Sequence, residues 1–266
     1  AIGVGTQRRH EQRYIETVRR IQDGALGEIV AGSAFYNMGS LWHKPRQPEW
    51  SDMEWQVRNW LYFTWLSGDH LVEQWVHSID TINWILGAHP LRVTAMGGRQ
   101  ARTEPEFGHI YDHFALEYEY PNGVIITGQA RQIANCDNRV DEMVLGTIGR
   151  SNCRDRIDPR DARKEPWVYS GPPTPGRSAP DASMNPYVRE HTALIASIRA
   201  GNPVNEVPTI AESTLSAIMG RMAAYSGRVV DWETVTSSQE NLMPATLEFG
   251  AIATPEVAIP GKYRLA

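Results

Sequence analysis

Cysteine is scarce in this 266-residue chain, which has only Cys136 and Cys153. Two thiols cannot staple a small secreted scaffold, so stability must come from a hydrophobic core, and redox compartment is left undecided. Long apolar runs are missing too; none approaches the roughly 18 residues of a membrane span. A basic excess is absent. The 26 Lys and Arg are outnumbered by 31 Asp and Glu, and a net charge of −5 argues against a general nucleic-acid binder. There is no internal repeat. Residue 1 is Ala, and Ala1-Ile2-Gly3-Val4-Gly5 reads as a short strand already in progress, with no signal-like segment after it. A trimmed chain or a fragment of a longer protein both fit that start, and a cytoplasmic location is expected. The remaining composition, 41% hydrophobic and 21% charged, is that of an ordinary globular protein.

The periodicity changes along the chain. Tyr14, Ile15, Val18 and Ile21 predict a helix from near Arg8 to Asp23, stopped by Gly24. Glu28 to Tyr36 alternates as a strand. Phe114, Leu116, Tyr118 and Tyr120 alternate with Ala115, Glu117 and Glu119, and Pro121-Asn122-Gly123 turns the chain into Val124–Arg131. Arg139 to Ile148 is a further strand. Residues 150–183, with six prolines, read as a long surface excursion. Asn185-Pro186 opens a helix to about Ala200, and Thr209 with Glu212 forms a capping box for a last helix ending before Gly227. The expected class is α+β, with a large, mostly antiparallel open sheet covered by helices on one face. Ala115, Ile125 and Thr127 leave the other face only moderately polar, which suggests that a second copy covers it.

The segment Ser67-Gly68-Asp69-His70-Leu71-Val72-Glu73-Gln74-Trp75-Val76-His77, followed by Asp80, carries the most chemistry. Val72, Trp75, Val76, Ile79, Ile82 and Leu86 form a buried helical stripe from Asp69 to Leu86. His70, Glu73, His77 and Trp84 then fall on the opposite side, so a carboxylate and two imidazoles project into one space. A solvated face would carry Lys and Glu; this composition suggests a pocket. His77 is either a general base or a structural histidine bonded to a carbonyl. A metal is the rival chemistry. His70 and His77 are too far apart for one ion, at roughly 10 Å of helical rise, but Glu73 and His77 could share one with His113 or His191. No metal is the favoured expectation.

Trp42, Trp50, Trp55, Trp60 and Trp65 crowd the irregular stretch 38–66. Such mass caps a core or lines a ligand site.

Val4-Gly5-Thr6-Gln7-Arg8-Arg9, Gly68 to Asp80 with Trp84 and Gly87, Glu190-His191 before Gly201-Asn202-Pro203, Ile218-Met219-Gly220-Arg221 and Tyr225-Ser226-Gly227 together resemble the Gfo/Idh/MocA oxidoreductases. The resemblance implies an N-terminal Rossmann domain that binds NAD or NADP and a C-terminal α+β domain for substrate and oligomerisation. On that reading residues 1–7 end a truncated Rossmann domain and 8–266 form the C-terminal domain. The Gly-rich fingerprint and the family's Glu-Lys-Pro lysine are absent; His43-Lys44-Pro45 lies in the wrong place. The chain alone is expected to bind no dinucleotide and to be inactive. The usual Asp before the catalytic His is Glu73 here. The usual Gly is Trp75, read as a packing change.

The resemblance further implies that His77 touches the reacting hydroxyl of a sugar, cyclitol or glycoside, with Glu73 orienting it. It places Gln7 and Arg8 against the substrate. Asp69, His70, Asp80, His113, Arg131, Tyr187 and His191 are further candidates, each with a core or surface alternative, and Trp60 either stacks on a ring or is core. A non-redox ligand-binding or assembly domain and an NAD-dependent glycoside hydrolase of the same fold are the alternatives.

Overall fold

The computed structural model describes residues 1–174 and 183–266. Nine strands run in chain order as β1 (Ile29–Met38), β2 (Arg92–Gly98), β3 (His113–Glu119), β4 (Ile125–Gln132), β5 (Arg139–Gly146), β6 (Gly149–Ser151), β7 (Arg156–Pro159), β8 (Trp167–Val168) and β9 (Val230–Asp231). They form one sheet in the order β8-β7-β6-β5-β1-β4-β3-β2-β9. Only the β1–β4 pair is parallel; the remaining pairs are antiparallel. The helices are α1 (Gln12–Arg20), α2 (Asp52–Arg58), α3 (Thr64–Ser67), α4 (Val76–Leu86), α5 (Pro186–Arg199), α6 (Val207–Ser226) and α7 (Trp232–Ser237).

The period of two in β3 decides which face is inside. Phe114, Leu116 and Tyr118 are buried against the helices, while Ala115 and Glu117 face out. Trp75, Ile79 and Ile82 meet them from the helix side and are fully buried. Trp75 is the packing change the sequence suggests. Its indole donates to the Ala34 carbonyl at 3.0 Å and stacks on Tyr118. Gly128 makes room for it, since a Cβ there would lie 2.7 Å from the indole Cζ2. On the outer face Phe35 is covered by Arg139, while Met96, nearer the sheet edge, is 72% exposed.

Three expectations need correcting. The first helix is broken into a 3-10 turn Gln7–His10, α1, and a π turn Ile21–Ala25 in which Gly24 takes φ +91°. The last helix begins at Val207, so Thr209 and Glu212 lie inside it and do not cap it. Pro208 suits a first turn, having no N–H to lose there. Part of the excursion 150–183 joins the sheet as β6, β7 and β8, which are too short to show a period; Pro175 and Pro180 lie outside the described residues.

The tryptophan-rich stretch makes a second, smaller core. Trp55, Leu61, Tyr62, Phe63 and Ile110 are its buried centre, with Trp50, Trp65 and Phe107 around them. Among the described residues no helix is long and apolar enough to cross a membrane.

Candidate functional site

Gly68 and Asp69 both take positive φ, +71° and +73°. Three bonds hold Asp69 in this unfavourable conformation. Its carboxylate accepts from the His70 amide at 2.5 Å, the Tyr111 amide at 3.0 Å and the Tyr225 hydroxyl at 2.5 Å. The chain then makes a π turn over Leu71–Trp75 before α4 begins. Such turns are rare and recur at functional sites.

The turn sets the phase of everything after it. Glu73 and His77 are partly exposed, as the spacing predicts, whereas Trp84 packs against the main core. His70 is not with them. Ahead of the π turn, and after two residues at positive φ, it points inward and packs on Phe114 at 4.9 Å. Burial drives its pKa well down.

Glu73 has a buried Oε2 with no hydrogen-bond partner. Burial alone pushes this carboxyl up to about 7. His77 is pushed down to about 4, first by burial, then by the Arg8 charge, with Asp80 opposing. No hydrogen bond joins the two side chains, because the π turn alters the α-helical spacing on which such a bond depends. The result is a neutral imidazole and a carboxyl poised near neutral pH on one side of a helix.

Arg8, which bonds the His77 carbonyl, also lines a neighbouring cleft, and Tyr36 near the end of β1 is reached by charges on both sides. Burial raises its pKa; the charges of Arg8, Glu73, Tyr187 and Glu142 all reach it, with Arg8 lowering. The cleft holds about 340 Å³ and is lined by Gln7, Arg8, Glu11, Tyr14 and Tyr187 among others. A larger cavity of about 850 Å³ lies between Gly27–Val30, Ile85–Ala88 and Tyr120–Val124. Its lining contains no imidazole, so size does not choose the site.

Arg8 differs from the expected substrate contact. Its side chain is nearly buried and paired with Glu142, and it donates to the His77 carbonyl at 3.1 Å. Burial works against its charge, but Glu142 more than compensates. The Tyr14 hydroxyl donates to the same carboxylate at 3.3 Å. The guanidinium therefore braces α4 against β5, and the cleft beside it is lined by Gln7, Glu11, Arg13, Tyr14 and Tyr187 among others.

Other candidates are placed elsewhere. Asp69 is a fully buried brace. Asp80 is buried, bonded to Arg9 through both oxygens at 2.9 Å and accepting from Ser213. His113 and Arg131 are register partners on β3 and β4, alternating with Phe114 and Ala130, so they face the outer side of the sheet. His113 bonds Asp112 at 2.7 Å, and Arg131 donates to the Asp137 carbonyl. His191 lies on α5 with its side chain 72% exposed. Trp60 sits on the surface of the second core. Neither His113 nor His191 comes to Glu73 and His77, and among the described residues no group of three metal-ligating side chains is assembled.

A dinucleotide cradle does not fit these residues. Gly3 and Gly5 precede only a four-residue 3-10 turn, and Gly3 packs against Leu194; no helix N-terminus opens there to hold a pyrophosphate. Tyr36, Tyr14 and Glu142 are site residues that the sequence reading missed. Glu142 had a signal: a carboxylate on the inward side of β5 must have a partner.

A family model described as GFO/IDH/MocA C-terminal domain matches residues 14–151. The 2,7-anhydro-N-acetylneuraminate hydratase of Escherichia coli (strain K12) is 30% identical over 107 residues, which is 40% of this chain and 25% of that protein. Among solved structures, an aldose-aldose oxidoreductase from Caulobacter crescentus complexed with glycerol superposes with TM-score 0.64 at 18% identity, covering 86% of this chain and 63% of that one. A levoglucosan dehydrogenase in complex with NADH and levoglucosan gives 0.63 at 18% identity, covering 86% and 65%. These two likenesses show a shared fold, and the chain spans less than two thirds of each structure's length. With a family model covering residues 14–151 and an α+β sheet built as that family's C-terminal domain implies, the chain belongs to the Gfo/Idh/MocA oxidoreductase family.

Proposed function

We propose that this chain is the substrate-binding and proton-handling part of an NAD(P)-dependent oxidoreductase that acts on a hydroxyl of a sugar, cyclitol or glycoside. One observation carries the reading: Glu73 and His77 share a half-buried helix side next to a polar cleft, with opposite pKa displacements. The dinucleotide is held by residues outside those described, in keeping with a chain that spans 63% of a solved relative. A nicotinamide, where bound, supplies the hydride acceptor; the proton is this chain's task.

The hydroxyl to be oxidised must lose its proton as its carbon gives up hydride. A carboxyl near neutrality is well matched to accept that proton. Neutral His77 accepts the hydroxyl's hydrogen bond and orients it, and Gln7 and Tyr187 hold the remaining hydroxyls. Arg8 takes no proton; it fixes the first turn of α4 by its bond to the His77 carbonyl. The exposed part of the outer sheet face, with Met96 beside Ala115, supports self-association of the chain.

The hydratase relative favours a second reading, in which the same pair moves protons during addition or loss of water on a sugar ring. Kinetics of the complete protein with NAD(P) and a panel of sugars and cyclitols separate the two, since only the first gives net reduced cofactor. In either case His77→Ala and Glu73→Gln are each expected to lower turnover by about 10²–10⁴-fold, with the fold retained. Near-normal turnover in both variants, or loss only through unfolding, refutes the site.

A further inference from the structure

Arg102 is a buried cation for which the proposed chemistry has no direct use. It is 3% exposed, and among the described residues no carboxylate forms an ion pair with it. Its guanidinium lies over the rings of Tyr62 and Phe107, 5.3 and 5.8 Å from their centroids. Nη2 donates to the Tyr111 carbonyl at 2.8 Å, and Nη1 donates to Gln132 Oε1. Asp112 holds the loop that carries it. The Asp112 Oδ2 accepts from the amides of Gln100, Ala101 and Arg102 at 2.9, 2.7 and 3.0 Å. A charge in such a place is costly to bury, and Gln132 shows what it holds.

Gln132, the last residue of β4 and fully buried, passes the bond on: its Nε2 donates to Gln74 Oε1 at 2.6 Å. The direction is forced. A guanidinium only donates, so Gln132 must turn its oxygen to Arg102 and its N–H to Gln74, and the Gln74 amide is oriented in turn. Gln74 is buried and directly follows Glu73 in the π turn Leu71–Trp75. The next residue, Trp75, is bonded to the Ala34 carbonyl of β1. Two consecutive residues of the turn are therefore tied to two different strands, β4 and β1. Such ties matter because a π turn is a rare insertion in a helix. An α turn in its place would bring Glu73 and His77 into i, i+4 contact.

We propose that Arg102 and Gln132 are positioning residues for the proton-handling pair: through Gln74 they hold the π turn that keeps the Glu73 carboxyl apart from the His77 imidazole. The inference rests on the reading of that pair as the proton site, and it names the residues that keep the pair in its working arrangement. A direct bond between the two side chains would favour the carboxylate and the imidazolium, lowering the carboxyl and raising the imidazole. Tyr36 and Tyr62 are the other titratable groups that the Glu73 charge reaches, and Arg8 and Asp80 are those that reach His77. All four are retained in the variants below.

The test is Gln132→Met and Gln74→Met in the 266-residue chain. The side-chain carboxyl resonance of Glu73 and the ring resonances of His77 are followed against pH and assigned by Glu73→Gln and His77→Gln. Wild type is expected to titrate at about 7 for Glu73 and about 4 for His77. In both Met variants Glu73 should fall towards 4.5 and His77 should rise towards 6.5. Gln132→Glu should keep the wild-type values, since its carboxylate still accepts from Arg102 and lets Gln74 turn its NH2 towards it. In the complete protein, oxidising a sugar or cyclitol, the acid limb of the kcat profile should move to lower pH together with the carboxyl. Gln74→Met removes only the last bond of the chain and guards against a Gln132 variant that does not fold. Titrations that match wild type in both Met variants overturn the proposal, and so does a wild-type Glu73 that titrates near 4.5. Because the titration needs no turnover, shifts at both groups in a protein that oxidises no sugar keep this inference and sink the proposed activity. An active protein whose titrations ignore both substitutions sinks the inference alone.

Discussion

Glu73 and His77 should make the stability of this fold respond to pH in opposite senses, and single substitutions should uncover each response. Glu73 moves from an ordinary 4.5 to about 7 on folding, so between those values the folded chain holds a proton that the unfolded chain has lost. Stability therefore falls as pH rises through that window. His77 moves from 6.5 to about 4, so between those values the unfolded chain holds the extra proton. Stability therefore falls as pH drops through that window. At 1.36 kcal/mol per pH unit each displacement is worth about 3 kcal/mol. From pH 4.5 to 6.5 the two slopes nearly cancel, and wild type should show little net pH dependence from the pair.

Glu73→Gln removes one slope. Relative to wild type, this variant should gain about 2–3 kcal/mol between pH 4.5 and 7.5, which corresponds to roughly 4–6 °C in melting temperature for a chain of this size. His77→Gln should show the reverse, gaining relative to wild type as pH is lowered from 6.5 to 4. Burial also depresses His70 and His109, but they are common to all three proteins and drop out of the differences. The measurement is urea unfolding at four pH values between 4.5 and 7.5, checked by thermal melts. A Glu73→Gln difference that is flat within about 0.5 kcal/mol across this range means that the carboxyl ionises normally. It is then not held in a dry site, and the assignment of the proton acceptor loses its physical basis.

Two further outcomes test the packing around the site. Arg8→Ala strands the Glu142 carboxylate in the interior and should cost about 3–5 kcal/mol, whereas Arg8→Met with Glu142→Leu should recover most of it; urea midpoints for the single and double variants decide, and a single-variant cost below about 1 kcal/mol contradicts the brace. Gly128→Ala should cost about 1–3 kcal/mol by driving a methyl into the Trp75 indole, and in a double-mutant cycle that cost should shrink once Trp75 is replaced by Leu.

What could be read from the sequence was whatever repeats locally. The alternation of Phe114, Leu116 and Tyr118 fixes a strand and its inner face, and the stripe from Trp75 to Ile82 fixes the helix that covers it. Glu73 and His77 were legible for the same reason, since both lie where α-helical and π-helical phases still agree on the outward side. His70 was misplaced because a one-turn change of helix type carries no clear sequence signal. His113 and Arg131 are a different failure. Strand alternation alone puts them opposite Phe114 and Ala130, hence away from the helix that bears His77.

Arg8 marks the boundary of local reading. Its partner Glu142 is 134 residues away, and only the closed sheet brings them together. Before folding, an arginine at the edge of a first strand and a carboxylate in a fifth look like two free charges, each available to a ligand. Once β5 is paired with β1, the carboxylate is buried, and the cheapest partner is the guanidinium that can also reach the His77 carbonyl. That settlement supports the roles proposed above. With Arg8 committed, proton transfer beside the cleft falls to a group that can gain or lose a proton near neutrality. An arginine cannot do so; a desolvated carboxyl at about 7 can.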